Sequence, residues 1–368
     1  MDTLRDLVVT NAPTSLALGG LMIGLVFGLI VFTTNFCAMG SISDVMIFGD
    51  YRRFRAWLLA GAVAILGVQL LQFNDIVDVG QAMFVSPNVS WLANIIGGVL
   101  FGFGMVLSGG CVSRNLVRVG TGDLRSLFIL MVVGLFAYMT IGGIFGPLRV
   151  ELQQASLLTP SNFALSSQSA GSITAAFLDV SPQTGRWLSA GLIAGLILIY
   201  CFKDANFRGS MLHMIAGFGI GGCIIAGWAI TGLSFDEFAD QPQPPTSLTF
   251  VRATGDTMEY LRRFTANTIP SFAIATVFGA LAGTLLGAVS TGRFRLATFA
   301  DNKDTLRNMC GAALMGIGGV FALGCTIGQA ITGVSTLALG SFITFAAIVS
   351  GAVIGIKTLE KIALAGEK

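Results

Sequence analysis

GAALMGIGGVFALGCTIGQAITGVSTLALGS, residues 311–341, decides the fold. It holds no Asp, Glu, Lys or Arg, and the charge-free run around it extends over 308–356. A second such run covers 79–113. Each is longer than the ~20 residues with which a helix crosses a bilayer core at 1.5 Å rise per residue. Within the stretch, glycines are frequent and Cys325 closes the apolar part, in FALGCTIGQ. The pattern recurs at Cys37 in FTTNFCAMG and at Cys111 in LSGGCVSRN, and Trp228 takes the matching place in IIAGWAITG. Gly28, Gly102, Gly219 and Gly316 lie nine residues before these four positions. Scattered cysteines thus become one repeated slot.

Composition agrees. Of 368 residues 54% are hydrophobic and only 11% charged, against roughly 25% charged in soluble domains. Mean hydropathy is +0.80. The 48 glycines suit helices that approach closely where lipid supplies no drive for association. The expected fold is therefore an all-α polytopic membrane protein, a single membrane domain over 1–368.

Nine spanning segments are expected, about 16–36, 54–73, 91–110, 124–144, 186–202, 211–230, 267–289, 309–325 and 337–356. Short segments near 41–48, 113–119 and 327–333 follow the cysteines and read as interfacial or re-entrant. With the N-terminus outside, fifteen of the 21 basic residues fall in inner loops, which favours that topology and a cytoplasmic C-terminus. Met1–Pro13 lacks the basic-then-apolar pattern of a secretory signal, so the first helix is expected to target the chain. Cys37 and Cys111 then end inward-running segments, while Trp228 and Cys325 end outward-running ones. Two inverted, pseudo-symmetric halves result, 16–144 and 186–356, and such halves place a solute site at their interface. Outer loops are expected at 145–185 and 231–266, the second holding Gln-Pro-Gln-Pro-Pro at 241–245 as an extended lid or strap.

Several chemistries are excluded. One histidine, His213, leaves no His-based metal site or triad, and the six cysteines form no CxxC pair. No GxxxxGK[ST] loop is present. No catalytic residue, metal or cofactor is expected, and no nucleic acid among the partners; membrane lipid is one. Cys201, Cys223 and Cys310 lie outside the slot and read as packing. Cys37, Cys111 and Cys325 are the candidate binding residues. Gly40, Gly110, Gly324 and Gly328 beside them permit positive φ and expose backbone N–H groups, which attract anions at helix starts. Beyond the first two residues of a span no Lys or Arg lies inside the apolar segments, so an anion there meets weak S–H donors and polarisable sulfur, a better match for a sulfur-bearing anion than for a hard oxyanion. Arg114, three residues after Cys111, is the nearest charge, and Gln329 offers an amide N–H. Asp44, Asp123 and Ser335 read as helix-start residues.

Residues 97–127, GGVLFGFGMVLSGGCVSRNLVRVGTGDLRSL, and 311–341 resemble the two signature blocks of the YeeE/YedE sulphur-transport family, and NFCAMGSISD at 35–44 resembles its weaker first block. The resemblance implies a pseudo-symmetric bundle with a waist, taking up thiosulfate through the bacterial inner membrane. It also implies that Cys37, Cys111 and Cys325 pass the ion along by S–H contacts without a lasting covalent bond; the expected topology, which puts Cys325 toward the outside and the other two further in, has the contact begin at Cys325. A TusA-like cytosolic sulfur carrier is an implied partner. Arg114 departs from the pattern, since many thiosulfate-uptake members have a small residue there.

Two other readings stay open at this point. One is a membrane sulfurtransferase handing a persulfide to a cytosolic carrier, for which Cys111 beside Arg114 comes nearest to a low-pKa thiolate. The other is a general small-molecule channel in which the cysteines only pack.

Overall fold

The computed structural model describes residues 11–160, 167–237, 243–266, 268–299 and 301–366. Its first part holds helices α1 (Ala12–Thr34), α2 (Ala38–Ser43), α3 (Arg52–Phe73), α4 (Trp91–Leu107), α5 (Val112–Gly120) and α6 (Leu124–Ile141). Next come α7 (Gly146–Ala155), α8 (Ala170–Leu178), α9 (Pro182–Phe202) and α10 (Ala205–Arg208). The chain ends with α11 (Met211–Leu233), α12 (Val251–Arg262), α13 (Phe272–Ser290), α14 (Asn302–Phe321) and α15 (Leu339–Gly366). Wide π turns come after α2 at Asp44–Phe48 and before α15 at Gly328–Gly333.

Helix starts are written locally. Asp123 accepts from the Ser126 N–H before α6, Ser271 from the Ile274 N–H before α13, and Asp301 from the Asp304 N–H before α14. Ser181 caps α9, whose first residue is Pro182, a ring pre-set for the first helical turn.

Among the described residues eight segments are long and apolar enough to cross a membrane. The ninth expected span, 309–325, is the far part of α14. Lys303, Asp304 and Arg307 open that helix, so its apolar run is Met309–Phe321, and the chain goes on past the break into the buried π turn Gly328–Gly333.

Glycine faces hold the bundle together. Gly24 and Gly28 of α1 lie against Thr276 and Ala280 backbone of α13, and Gly279 and Gly283 of α13 lie reciprocally against Leu21 and Leu25. Helix α4 is clamped on two sides: Gly97 and Gly104 meet α14 at Ala322 and Gly311, while Gly98 and Gly102 meet α15 at Ala347 and Ile348. Dispersion between backbones, not water exclusion, supplies the attraction there. Gly191 of α9 has no neighbour within 4 Å of an added Cβ. Gly191→Ala is therefore expected to raise stability by about 0.5–1 kcal/mol, read as a higher thermal midpoint in detergent.

Both expected outer loops carry more structure than their sequence announces. Segment 145–185 contains α7 and α8, and Leu157–Leu158 pairs antiparallel with Val89–Ser90 ahead of α4; residues 161–166 lie outside the described residues. Pro147 near the start of α7 and the Ser169 cap of α8 supply the missing start signals. In the 231–266 loop, Gln241 and Pro242 lie outside the described residues, and residues 245–250 form a largely buried strap. Thr231 Oγ1 donates to the Thr246 carbonyl, Ser247 Oγ to the Ile224 carbonyl and Thr332 Oγ1 to the Leu248 carbonyl. Leu248 and Phe250 are fully buried. Hydroxyls thus satisfy an extended backbone that has no ladder of its own, as buried polar groups require.

The basic loops come together at one end of the molecule. Arg53 and Arg114 both reach Asn35, Arg55 pairs with Asp204, Arg125 pairs with Asp304, and the Arg295 N–H bonds the Thr121 carbonyl.

Candidate functional site: three cysteines at three helix breaks

Each candidate cysteine comes after a break of the same form. The residue two places before it is left-handed: Asn35 (φ 53), Gly109 (φ 67) and Leu323 (φ 58). At two of the breaks the closure matches bond for bond. Gly110 N–H bonds the Met105 carbonyl and Gly109 N–H that of Val106; Gly324 N–H bonds Gly319 and Leu323 N–H bonds Val320. This paired closure is the Schellman ending, in which a left-handed residue lets the chain turn out of the helix. Gly40, Gly110 and Gly328 are not the positive-φ residues, contrary to the expectation placed on them. Gly328 instead lets the strap approach: an added Cβ would stand 2.5 Å from Thr249 Oγ1.

Each cysteine then faces the start of the next segment. Cys37 Sγ accepts from the Gly40 N–H at 3.5 Å, and Cys325 Sγ accepts from the Gly328 N–H at 3.3 Å. Cys111 Sγ lies 3.2 Å from Ser113 Oγ. All three thiols are buried. Asn115 braces the middle break, donating to the carbonyls of Gly110 and Cys111 while Ser126 donates to its Oδ1.

Tertiary packing brings the slots together. The Cys37 and Cys111 thiols lie within electrostatic range of one another, and the Thr326 hydroxyl lies near the Cys111 thiol as well. Cys325 thus joins the group through its chain neighbour. Thr326 Oγ1 forms no hydrogen bond of good geometry, and neither does Trp57 Nε1. Both residues line a small cavity with Ala38, Ser41, Ala330 and Ile348. It offers about 10 Å³ to the centre of a water-sized sphere, roughly one water's worth. Trp57 Nε1 thus has no acceptor among the described residues, and the Thr326 hydroxyl has only the Cys111 thiol within reach. Thr326, Trp57 and Ser113 escape a sequence reading. Only the position of Thr326 and Ser113 just after a slot cysteine marks them.

The fourth slot differs. Helix α11 runs unbroken through Trp228 to Leu233, because no left-handed residue precedes the tryptophan. Its Nε1 donates to Ser335 Oγ at 3.1 Å. Ser335, expected at a helix start, is a buried junction that donates in turn to the Thr332 carbonyl. Asp44 accepts from Arg53 at 2.8 Å. Gln329 Nε2 donates to the Ala322 carbonyl at 2.6 Å, tying the Cys325 break shut, and its Oε1 has no partner. Arg114 donates to Asn35 Oδ1 at 3.0 Å. Cys201 donates to the Arg55 carbonyl, Cys223 is buried, and Cys310 is exposed, against the packing role expected of it. His213 sits at the start of α11 with Ser210 Oγ 2.6 Å from its Nδ1. In the loop outside the spans, a side-chain hydrogen bond from Arg52 holds the Asp50 carboxyl down at about 2, so that acid stays ionised and engaged with Arg52.

The left-handed break gives a direct test. Asn35→Val puts a branched side chain at φ 53 and is expected to lose about 1–3 kcal/mol. Asn35→Gly, free at that φ, is expected to keep the thermal midpoint within a few degrees.

The family model described as "Sulphur transport" matches residues 33–354, which takes in all three breaks. The chain belongs to the sulphur transport family. Among curated members of the YeeE/YedE type, it is 29% identical over 335 residues to the thiosulfate transporter TsuA of Spirochaeta thermophila, covering 88% of this chain and 93% of that one. With TsuA of Escherichia coli the identity is 25% over 337 residues, covering 86% and 87%. The probable transporter YedE of Escherichia coli is 30% identical over 107 residues, 28% of this chain and 24% of that one. Within the sulphur transport family, then, the likeness to the TsuA proteins extends along most of both chains.

Proposed function

We propose that the chain is a permease of the bacterial inner membrane for thiosulfate or a closely related small sulfur anion. The ion passes Cys325, Cys111 and Cys37 at a waist between the halves 16–144 and 186–356, with the N-terminus outside and the C-terminus in the cytoplasm. What carries the reading is the meeting of the Cys37 and Cys111 thiols with the Thr326 hydroxyl beside Cys325. Names of the TsuA relatives support the choice of solute. The slot thiols, with the Thr326 hydroxyl and the Trp57 N–H at the neighbouring cavity, let an anion exchange one set of hydrogen bonds for the next, each worth about 1.5–3 kcal/mol when the acceptor is charged. No covalent bond is needed. Burial of every slot thiol favours passage over persulfide transfer, because a carrier protein's cysteine has no approach to Cys111 at 1% exposure. A TusA-like carrier is the proposed recipient after release, and membrane lipid the surrounding partner.

The test is growth of a sulfur-auxotrophic host carrying the chain, supplied with one sulfur source at a time. Thiosulfate is expected to support growth and labelled thiosulfate uptake, and excess sulfate or chloride to leave uptake unchanged. Absence of uptake, or full competition by chloride, would overturn the proposal.

A further inference from the structure

Helix α5 places Arg114 and Arg118 one turn apart on the face that packs against the Cys111 break. An added Cβ at Gly110 would lie 3.1 Å from Arg114 Cγ and 3.8 Å from Arg118 Nη1, and one at Gly109 3.6 Å from Arg118 Nη1. Both side chains are half-buried. Among the described residues neither forms an ion pair. Arg114 has the neutral Asn35 Oδ1 as acceptor, and among the same residues Arg118 has no hydrogen-bond acceptor at all.

The charged groups near Arg118 include Arg114, Arg125 and Asp123, with the Cys37 thiol also close. Asp123 attracts it but forms no ion pair with it, and Arg125 and Ser126 donate to that carboxylate. Two half-buried guanidiniums therefore repel one another without an ion-pair partner, while the Arg118 donors, which no protein acceptor among the described residues engages, stay open to solvent. A tetrahedral oxyanion at this place offsets the repulsion and takes up the open donors, because a guanidinium fork matches two of its oxygens.

We propose that Arg114 and Arg118 hold a free sulfur oxyanion at the mouth of the path beside the Cys37–Cys111 pair. This deepens the transport reading and rests on it. The site is the release side: a solute leaving the thiols meets the fork before the solvent. It also makes the two faces of the protein unequal in their hold on the ion.

The experiment uses the full chain in liposomes of phosphatidylcholine alone, with half-saturation for labelled thiosulfate measured from each face. Arg118→Gln is expected to raise half-saturation about tenfold on the arginine-bearing face and to leave the other within twofold. Arg118→Lys, which keeps the charge without the fork, is expected to give about threefold; it also carries the test should the glutamine variant not fold. A fall in maximal rate that is equal from both faces, or no change, overturns the site. So does an arginine effect that needs anionic lipid, since the occupant is then a headgroup. Should liposomes carrying the wild type move no thiosulfate, the transport reading fails by itself. Calorimetric titration of the detergent-solubilised protein with sodium thiosulfate then decides the site. Binding lost in Arg118→Gln sustains it, and no binding by the wild type overturns it.

Discussion

Cys111→Ala is expected to reduce thiosulfate uptake by more than a hundredfold while the protein stays in the membrane at wild-type level. Cys111 is the slot thiol near both other breaks, through the Cys37 sulfur and the Thr326 hydroxyl. On the proposed path, removing it deletes a donor to the charged solute and interrupts the succession at its middle. One such hydrogen bond is worth about 1.5–3 kcal/mol, or roughly ten- to a hundredfold, and an interrupted succession adds to that. Cys111→Ser keeps a hydroxyl donor but not the larger, softer sulfur, so it is expected to retain a minor fraction of uptake. Cys201→Ala, which touches only the Arg55 carbonyl among polar partners, is expected to transport normally. Labelled uptake normalised to membrane protein measures all three. Wild-type uptake by the alanine variant would remove the cysteine path from consideration.

Gly102→Val is expected to abolish the folded protein. A Cβ at Gly102 would stand 2.1 Å from the Ile348 carbonyl oxygen and 2.8 Å from the Ala352 nitrogen, backbone atoms of α15 that no rotamer change can clear. Helix α4 cannot shift the other way, because Gly97 and Gly104 hold its opposite side against α14, with an added Cβ 2.5 and 2.6 Å from backbone there. Overpacking against side chains costs about 1–3 kcal/mol; against backbone on two sides it approaches the whole stability of a domain, about 5–15 kcal/mol. Fluorescence-detected size exclusion of a tagged protein reads the outcome. A monodisperse peak with an unchanged thermal midpoint would mean that the two-sided clamp is not what organises the bundle.

Much of this architecture is legible before any coordinates. The spans announce themselves as charge-free runs, and each short segment after a slot cysteine is present. The left-handed residue is a different matter. Gly109 suits it and Asn35 tolerates it, but Leu323 has no intrinsic preference for φ 58 and is held there by its surroundings. No pattern unites Asn, Gly and Leu, so the shared feature of the breaks stays hidden in one dimension. Trp228 shows the opposite error: spacing and glycines match the slot, yet the helix continues through it. The contact of Thr326 with Cys111 joins residues more than 200 positions apart, and only folding makes it. Likewise the 145–185 stretch hides two helices behind polar composition.

The narrowness of the void between Trp57 and Thr326 has a bearing on its occupant. A gap with room for about one water beside an unpartnered indole N–H leaves little freedom of position to whatever occupies it, so its occupant is held in a single place rather than exchanging among several.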